Sequence, residues 1–204
     1  MQTLGVSDSM PHGESRLKSL FWPFIRSGSD VDYLGIQGYW VCTIVSVMTL
    51  LLGLFTLVAS RNVAQGAFFA LIFGILALFF YLGGVGVREG SQFAAAIVFA
   101  SSALDLATVL LTSPVSVGLL IKAAITVVLF SNLRATWIAG SWRPNPEEFA
   151  LPPRRSLTFG DQFVDQWPRW IWPKIRIVYY VFSLLIAFGM LLIFLALFFR
   201  QLMR

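Results

Sequence analysis

The stretch that decides the fold reads FAAAIVFASSALDLATVLLTSPVSVGLLIKAAITVVLFSNLRATW, from Phe93 to Trp137. It contains two apolar runs, each long enough to cross a bilayer as an α-helix, that are joined at Ser113-Pro114. Asp105 lies eight residues before the turn and Lys122 eight residues after it. At the rise of an α-helix, both charges would lie level, roughly 13 Å from the turn, within a hydrocarbon layer of about 30 Å. The spacing predicts an intramembrane ion pair.

Both runs also carry small or polar residues on the face of the charge. In the first run, Ser101, Ser102, Asp105, Thr108 and Thr112 recur at spacings of three or four. In the second run, Gly118 and Thr126 lie four residues on either side of Lys122. We expect these two polar stripes to face inward. Because an isolated charge in hydrocarbon is expensive, each charge needs either the other or a water-filled cavity.

Composition places the whole chain in a membrane. Of its 204 residues, 57% are hydrophobic and only 12% are charged, far from the values of soluble domains. The net charge of +5 is explained by basic residues that flank apolar segments, without any basic run typical of nucleic-acid binding. One cysteine and one histidine exclude a disulfide framework and argue against a Cys/His metal centre.

The apolar pattern predicts an all-α, polytopic membrane helix bundle with five transmembrane helices, at about 39–59, 63–84, 93–112, 115–137 and 175–199. Residues 1–38 are predicted to be a polar N-terminal tail with a possible interfacial segment at 17–26, ending in a loop at 27–38. A single membrane domain then spans 39–204 and includes a loop at 140–174. Within this loop, Phe159, Phe163, Val164 and Trp167 recur at helical spacing and predict an interfacial amphipathic helix over about 158–168.

Small residues in the second span form a further pattern. Gly66, Ala70 and Gly74 recur at intervals of four, which gives a flat seam for close helix contact. The seam suits either packing within the bundle, which we favour, or a dimer face.

The distribution of basic residues predicts the orientation. Ten Lys and Arg residues fall on the N-terminal side of a five-span topology, three fall on the other side, and Lys122 and Arg134 lie within a span. This asymmetry predicts a cytoplasmic N-terminus and long loop, with the C-terminus outside, in a bacterial cytoplasmic (inner) membrane. All tryptophans fall on the same N-terminal side and predict a broad interfacial belt there: Trp22, Trp40, Trp137, Trp142, Trp167, Trp170 and Trp172.

No catalytic signature or cofactor motif is present in the sequence, so we expect a protein that is not an enzyme and has no catalytic, cofactor-binding or metal-binding residues. The sequence favours a non-catalytic subunit or scaffold of a membrane complex. Its expected partners are the lipid bilayer and either other membrane subunits or further copies of the chain, with no nucleic acid. The alternative is a small transporter or channel-like protein that uses the polar stripe around Asp105 and Lys122.

Overall fold

The computed structural model describes residue 25 and residues 28–114, 116–141 and 159–203. All the regular structure in this part of the chain is helical, in five helices that are long and apolar enough to cross a membrane. We label them α1 (Gly28–Ala59), α2 (Val63–Arg88), α3 (Gln92–Thr112), α4 (Val117–Ser141) and α5 (Phe159–Leu202). The prediction of an all-α, five-span membrane protein is confirmed.

Local sequence signals fix two of the turns between helices. Asn62 caps α2 through its side-chain oxygen, which accepts hydrogen bonds from the amides of Ala64 (3.0 Å) and Gln65 (3.3 Å). At the other end of α2, Gly90 adopts φ +70°, and its amide and that of Ser91 donate back to the carbonyls of Val87 and Gly86. This is a Schellman ending, which favours glycine because an L side chain rarely adopts a positive φ.

The helices form a ring in which α1 packs on α2, α2 on α5, α5 on α3, α3 on α4, and α4 on α1. A further contact between α2 and α3 crosses the middle of the ring. The hairpins α1–α2 and α3–α4 therefore lie side by side, and α5 closes the remaining side.

The loop predicted at 27–38 is wrong over residues 28–38, because α1 begins at Gly28 rather than near Tyr39. Asp30 stands in the first turn, where a negative charge is favoured by the helix dipole. The glycines that suggested a loop are contact points instead. A Cβ built on Gly38 would lie only 2.5 Å from Asn132 Oδ1, so the packing of α1 against α4 outweighs the low helix propensity of glycine.

The second helix is longer than the predicted span, which ended at about residue 84. The helix continues to Arg88, and Gly83, Gly84 and Gly86 are all buried. A Cβ on Gly84 would lie 2.7 Å from the Cβ of Cys42, and one on Gly83 would lie 2.6 Å from the Tyr179 hydroxyl. These glycines allow α1 and α5 to approach α2 closely.

The predicted interfacial helix exists, but it is the first part of α5 rather than a separate element. Residues Phe159–Asp161 are α-helical, Gln162–Gln166 form one π-helical turn, and Trp167–Leu202 continue without a break through Pro173. The predicted loop at 140–174 is thus helical from residue 159 onward. Of its apolar residues, Val164 is buried and Phe163 packs on Tyr39, whereas Phe159 is exposed. The structure does not describe residues 1–24, 26–27, 115, 142–158 and 204. The predicted interfacial segment at 17–26, except for residue 25, therefore lies outside the described residues, as do Trp22 and Trp142.

Burial divides the bundle into two halves. We call residues 28–46, 77–102, 126–141 and 159–183 the packed half, and residues 47–76, 103–114, 116–125 and 184–203 the open half. Nearly all buried side chains lie in the packed half, including Tyr39, Phe79, Val98 and Tyr179. Among the described residues of the open half, only Gly53, Gly66 and Leu119 are buried. The helices therefore leave their inner faces largely uncovered there.

Candidate functional site

The structure brings Asp105 of α3 and Lys122 of α4 together. Lys122 Nζ forms a salt bridge with Asp105 Oδ2. The pair lies in the open half, seven residues before the end of α3, which corresponds to about 10 Å along the helix axis. The two side chains therefore meet within two of the helices that are long and apolar enough to cross a membrane.

The pair faces inward but is not enclosed. Val98, Ser101, Ser102 and Asp105 share one face of α3, and the first three are buried. Asp105 is the first residue on that face, toward the end of α3, that is not buried. The Asp105 and Lys122 side chains are 43% and 40% exposed, so the helices of this chain do not enclose them. The reason is that the helices pack tightly only as far as Ser102.

One hydrogen bond marks the boundary between the two halves. The hydroxyls of Ser102 and Thr126 lie 2.8 Å apart, one turn from the ion pair on the packed side. Beyond the ion pair, the stripe continues through Thr108 and Thr112, whose hydroxyls donate to the carbonyls of Leu104 and Thr108. The stripe thus begins in the packed core and runs into the open half.

The end of the stripe borders a pocket between the ends of α3 and α5. This pocket has a volume of about 300 Å³ and is lined by Leu111, Thr112, Leu197, Arg200 and Gln201.

A second charged cluster, which the sequence did not suggest, lies in the packed half. Arg88, the last residue of α2, is only 2% exposed at its side chain. Its Nη1 donates to Asp32 Oδ1 at 2.6 Å, and its Nη2 donates to Asp165 Oδ1 at 2.5 Å. The cluster joins α1, α2 and the π-helical turn of α5. A buried arginine that bonds two carboxylates fixes the relative position of three helices.

This cluster could have been found from helical spacing. Asp32 lies seven residues before Tyr39, and Asp165 lies seven residues before Trp172, so each shares a face with a buried aromatic residue. The sequence pattern did not reveal this cluster, because residues 27–38 were predicted to be a loop and the interfacial helix was predicted from its apolar residues alone.

The three residues of the small-residue seam, Gly66, Ala70 and Gly74, have different surroundings. Gly66 is buried, and a Cβ there would lie 2.8 Å from the Cβ of Ser60. Ala70 is half-buried beside the contact of Gly53 with α2, whereas a Cβ on Gly74 would meet nothing within 4 Å. The seam therefore packs on α1 at its start and faces open space at its end.

The tryptophans that the structure describes all lie in the packed half, but they have two roles. Trp40, Trp137, Trp167 and Trp170 are exposed, as expected for an interfacial belt. Trp172 is buried against Tyr179 and belongs to the core.

Within residues 28–114, 116–141 and 159–203, no three His, Cys, Asp or Glu side chains are grouped so that they could hold a metal ion.

The chain was also compared with known proteins. It matches no protein-family model, curated protein or solved structure at a significant level, so its function is argued from its own geometry.

Proposed function

We propose that the protein is a non-catalytic subunit or scaffold of a membrane complex, in which a transmembrane segment of another subunit or of a second copy covers the open half. The observation that carries this proposal is the exposure of the Asp105–Lys122 pair. Both side chains are about two-fifths exposed at a depth where lipid chains offer no hydrogen bonds. A partner segment with polar side chains would supply the hydrogen bonds that lipid chains cannot form.

The packed half supports this proposal because it can hold the open half in a fixed shape. The Arg88 cluster ties α1, α2 and α5 together, and the Tyr39 hydroxyl donates to the carbonyl of Phe163 at 3.4 Å. At the same end, Gln92 Nε2 donates to the carbonyl of Thr136 and joins α3 to α4. A bundle held firmly at one end presents a preformed surface at the other, which lowers the entropic cost of docking.

A small transporter or channel-like protein is the second candidate. The observation in its favour is the continuity of the polar stripe with the pocket that Thr112, Arg200 and Gln201 line. In that function the stripe would be in contact with water, and Asp105 would bind a proton, an ion or a solute.

The mass of the purified protein separates the two candidates. We expect the wild-type chain, extracted in a mild detergent, to purify with a stoichiometric membrane partner or as a defined oligomer. The double variant Asp105→Leu/Lys122→Leu should keep its helical content and lose the partner, because it removes the polar contact and leaves no unpaired charge. The control is Leu110→Ala, which changes an exposed apolar residue about 140° around the same helix from Asp105, away from the inward face, and should keep the partner.

A wild-type monomer whose Asp105→Cys variant reacts with a water-soluble maleimide would contradict the subunit proposal and favour transport. We also propose that the protein lies in a bacterial inner membrane with its N-terminus in the cytoplasm and its C-terminus outside, and that it has no catalytic activity.

A further inference from the structure

We propose that the start of α5 is a binding site for an anionic phospholipid, with its phosphate at Lys174 and Trp170 and its acyl chains along the exposed face of the same helix. The headgroup end of this site lies in the packed half, and its acyl end follows the outer face of α5 into the open half, as far as Phe188. The proposed partner covers the inward face of the open half, so the two proposals are independent.

The headgroup end of the site is built from stacked side chains. Lys174 Nζ lies 3.5 Å from the centroid of the Trp170 ring, and the Trp170 ring lies 5.5 Å from that of Trp167. Both tryptophans and Lys174 are exposed. A cation held over an indole ring keeps N–H groups for a phosphate, and tryptophan itself prefers the headgroup level of a bilayer.

The charge around this end is of one sign. Arg169 and Arg176 are exposed near the stack, and helix residues Trp167–Leu202 contain neither Asp nor Glu. The nearest carboxylate along the chain, Asp165, is turned away into the core, where it bonds Arg88. The site thus attracts an anion, and each such basic residue near an anionic leaflet adds about 1 kcal/mol of attraction.

The acyl end follows directly on the same face. Ile177, Val181, Leu184 and Phe188 continue the spacing of Trp170 and Lys174 in steps of three and four residues, and each is between 54% and 69% exposed. From Ile177 to Phe188 the helix rises about 17 Å, close to the thickness of one hydrocarbon leaflet, about 15 Å. The exposed apolar residues continue beyond Phe188, through Leu192 and Phe199, so the strip is at least long enough for the acyl chains of one leaflet.

The charge at the headgroup end selects a lipid over a second helix as the occupant. Arg169, Lys174 and Arg176 are all exposed, and helix residues Trp167–Leu202 carry no carboxylate to balance them. An anionic phospholipid supplies both a phosphate for these cations and acyl chains for the apolar strip.

The probes that test this site are phosphatidylglycerol and phosphatidylcholine, added to the purified full-length protein and counted by native mass spectrometry. We expect wild-type protein to retain phosphatidylglycerol preferentially, and Lys174→Gln to reduce that retention about fivefold. Trp170→Leu should also reduce the retention of phosphatidylglycerol, because Lys174 loses the aromatic ring that holds its ammonium group in place. The matched control is Arg200→Gln, which removes a cation from the other end of the same helix and should leave the retention unchanged.

Equal retention of the two lipids by the wild type, or equal losses in Lys174→Gln and Arg200→Gln, would overturn the proposal. A photoreactive residue at Leu184 gives a second measurement that does not depend on variant stability. Adducts with phospholipid support the site, whereas adducts with a protein would show that a helix occupies this face and would also overturn it.

Discussion

At the scale of single residues, the two charged clusters differ in how far they are buried. Arg88 is almost completely enclosed and bonds two carboxylates, whereas the Asp105–Lys122 pair is partly uncovered. A buried charge that loses its partner is strongly destabilising, because the desolvation cost remains after the attraction is gone. The two clusters should therefore respond differently to substitution.

We predict that Arg88→Met destabilises the folded protein by about 3–5 kcal/mol, because Asp32 and Asp165 lose the cation that both bond. Thermal unfolding in detergent, followed by circular dichroism, measures this loss. The matched control is Arg61→Met, which changes an exposed arginine at the α1–α2 turn and should leave the melting temperature almost unchanged. Equal melting temperatures for both variants would mean that the Arg88 cluster does not hold the helices together.

The sequence predicted the Asp105–Lys122 pair but did not predict the Arg88 cluster, and the reason is physical. Asp105 and Lys122 stand out because charges within long apolar runs are rare and a turn sets their levels. Arg88, Asp32 and Asp165 lie near helix ends, where charges are common and need no explanation. Only the three-dimensional packing brings them together, since they are 56 and 77 residues apart in sequence.

At the scale of helices, glycine positions determine how closely neighbours approach. Gly38, Gly83, Gly84 and Gly86 face other helices in the packed half, whereas Gly74 in the open half faces empty space. The sequence predicted a loop at 27–38 and an end of the second span at about residue 84, because glycine has a low helix propensity whether it lies in a loop or at a close helix contact. Which role a glycine has depends on the residue opposite it.

We predict opposite effects for two glycine-to-alanine changes. Gly38→Ala should destabilise the protein by about 1–3 kcal/mol, since its Cβ would lie 2.5 Å from Asn132 Oδ1 and 2.7 Å from Val87 Cγ1. Gly74→Ala should be neutral or stabilising by up to about 1 kcal/mol, because alanine favours the helix and meets no neighbour. Melting temperatures of the two variants test this, and a loss of stability in Gly74→Ala as large as that in Gly38→Ala would contradict it.

At the scale of the whole molecule, the main finding is the contrast between a packed half and an open half. The sequence predicted the number of long apolar helices, because the length of each apolar run determines it. It did not predict where packing ends, since the apolar residues at 47–59 and 184–199 are as hydrophobic as those in the core. In a membrane, apolar surface does not distinguish a helix neighbour from lipid.

The central claim is that a transmembrane segment of another subunit, or of a second copy, covers the inward face of the open half. The most direct test places a photoreactive amino acid at Thr108, on that face, and irradiates the protein in native membranes. We predict one discrete protein adduct, which disappears in the Asp105→Leu/Lys122→Leu background and is absent when the probe is at Val181, on the outer face of α5. Adducts with lipid alone at Thr108 would contradict the claim.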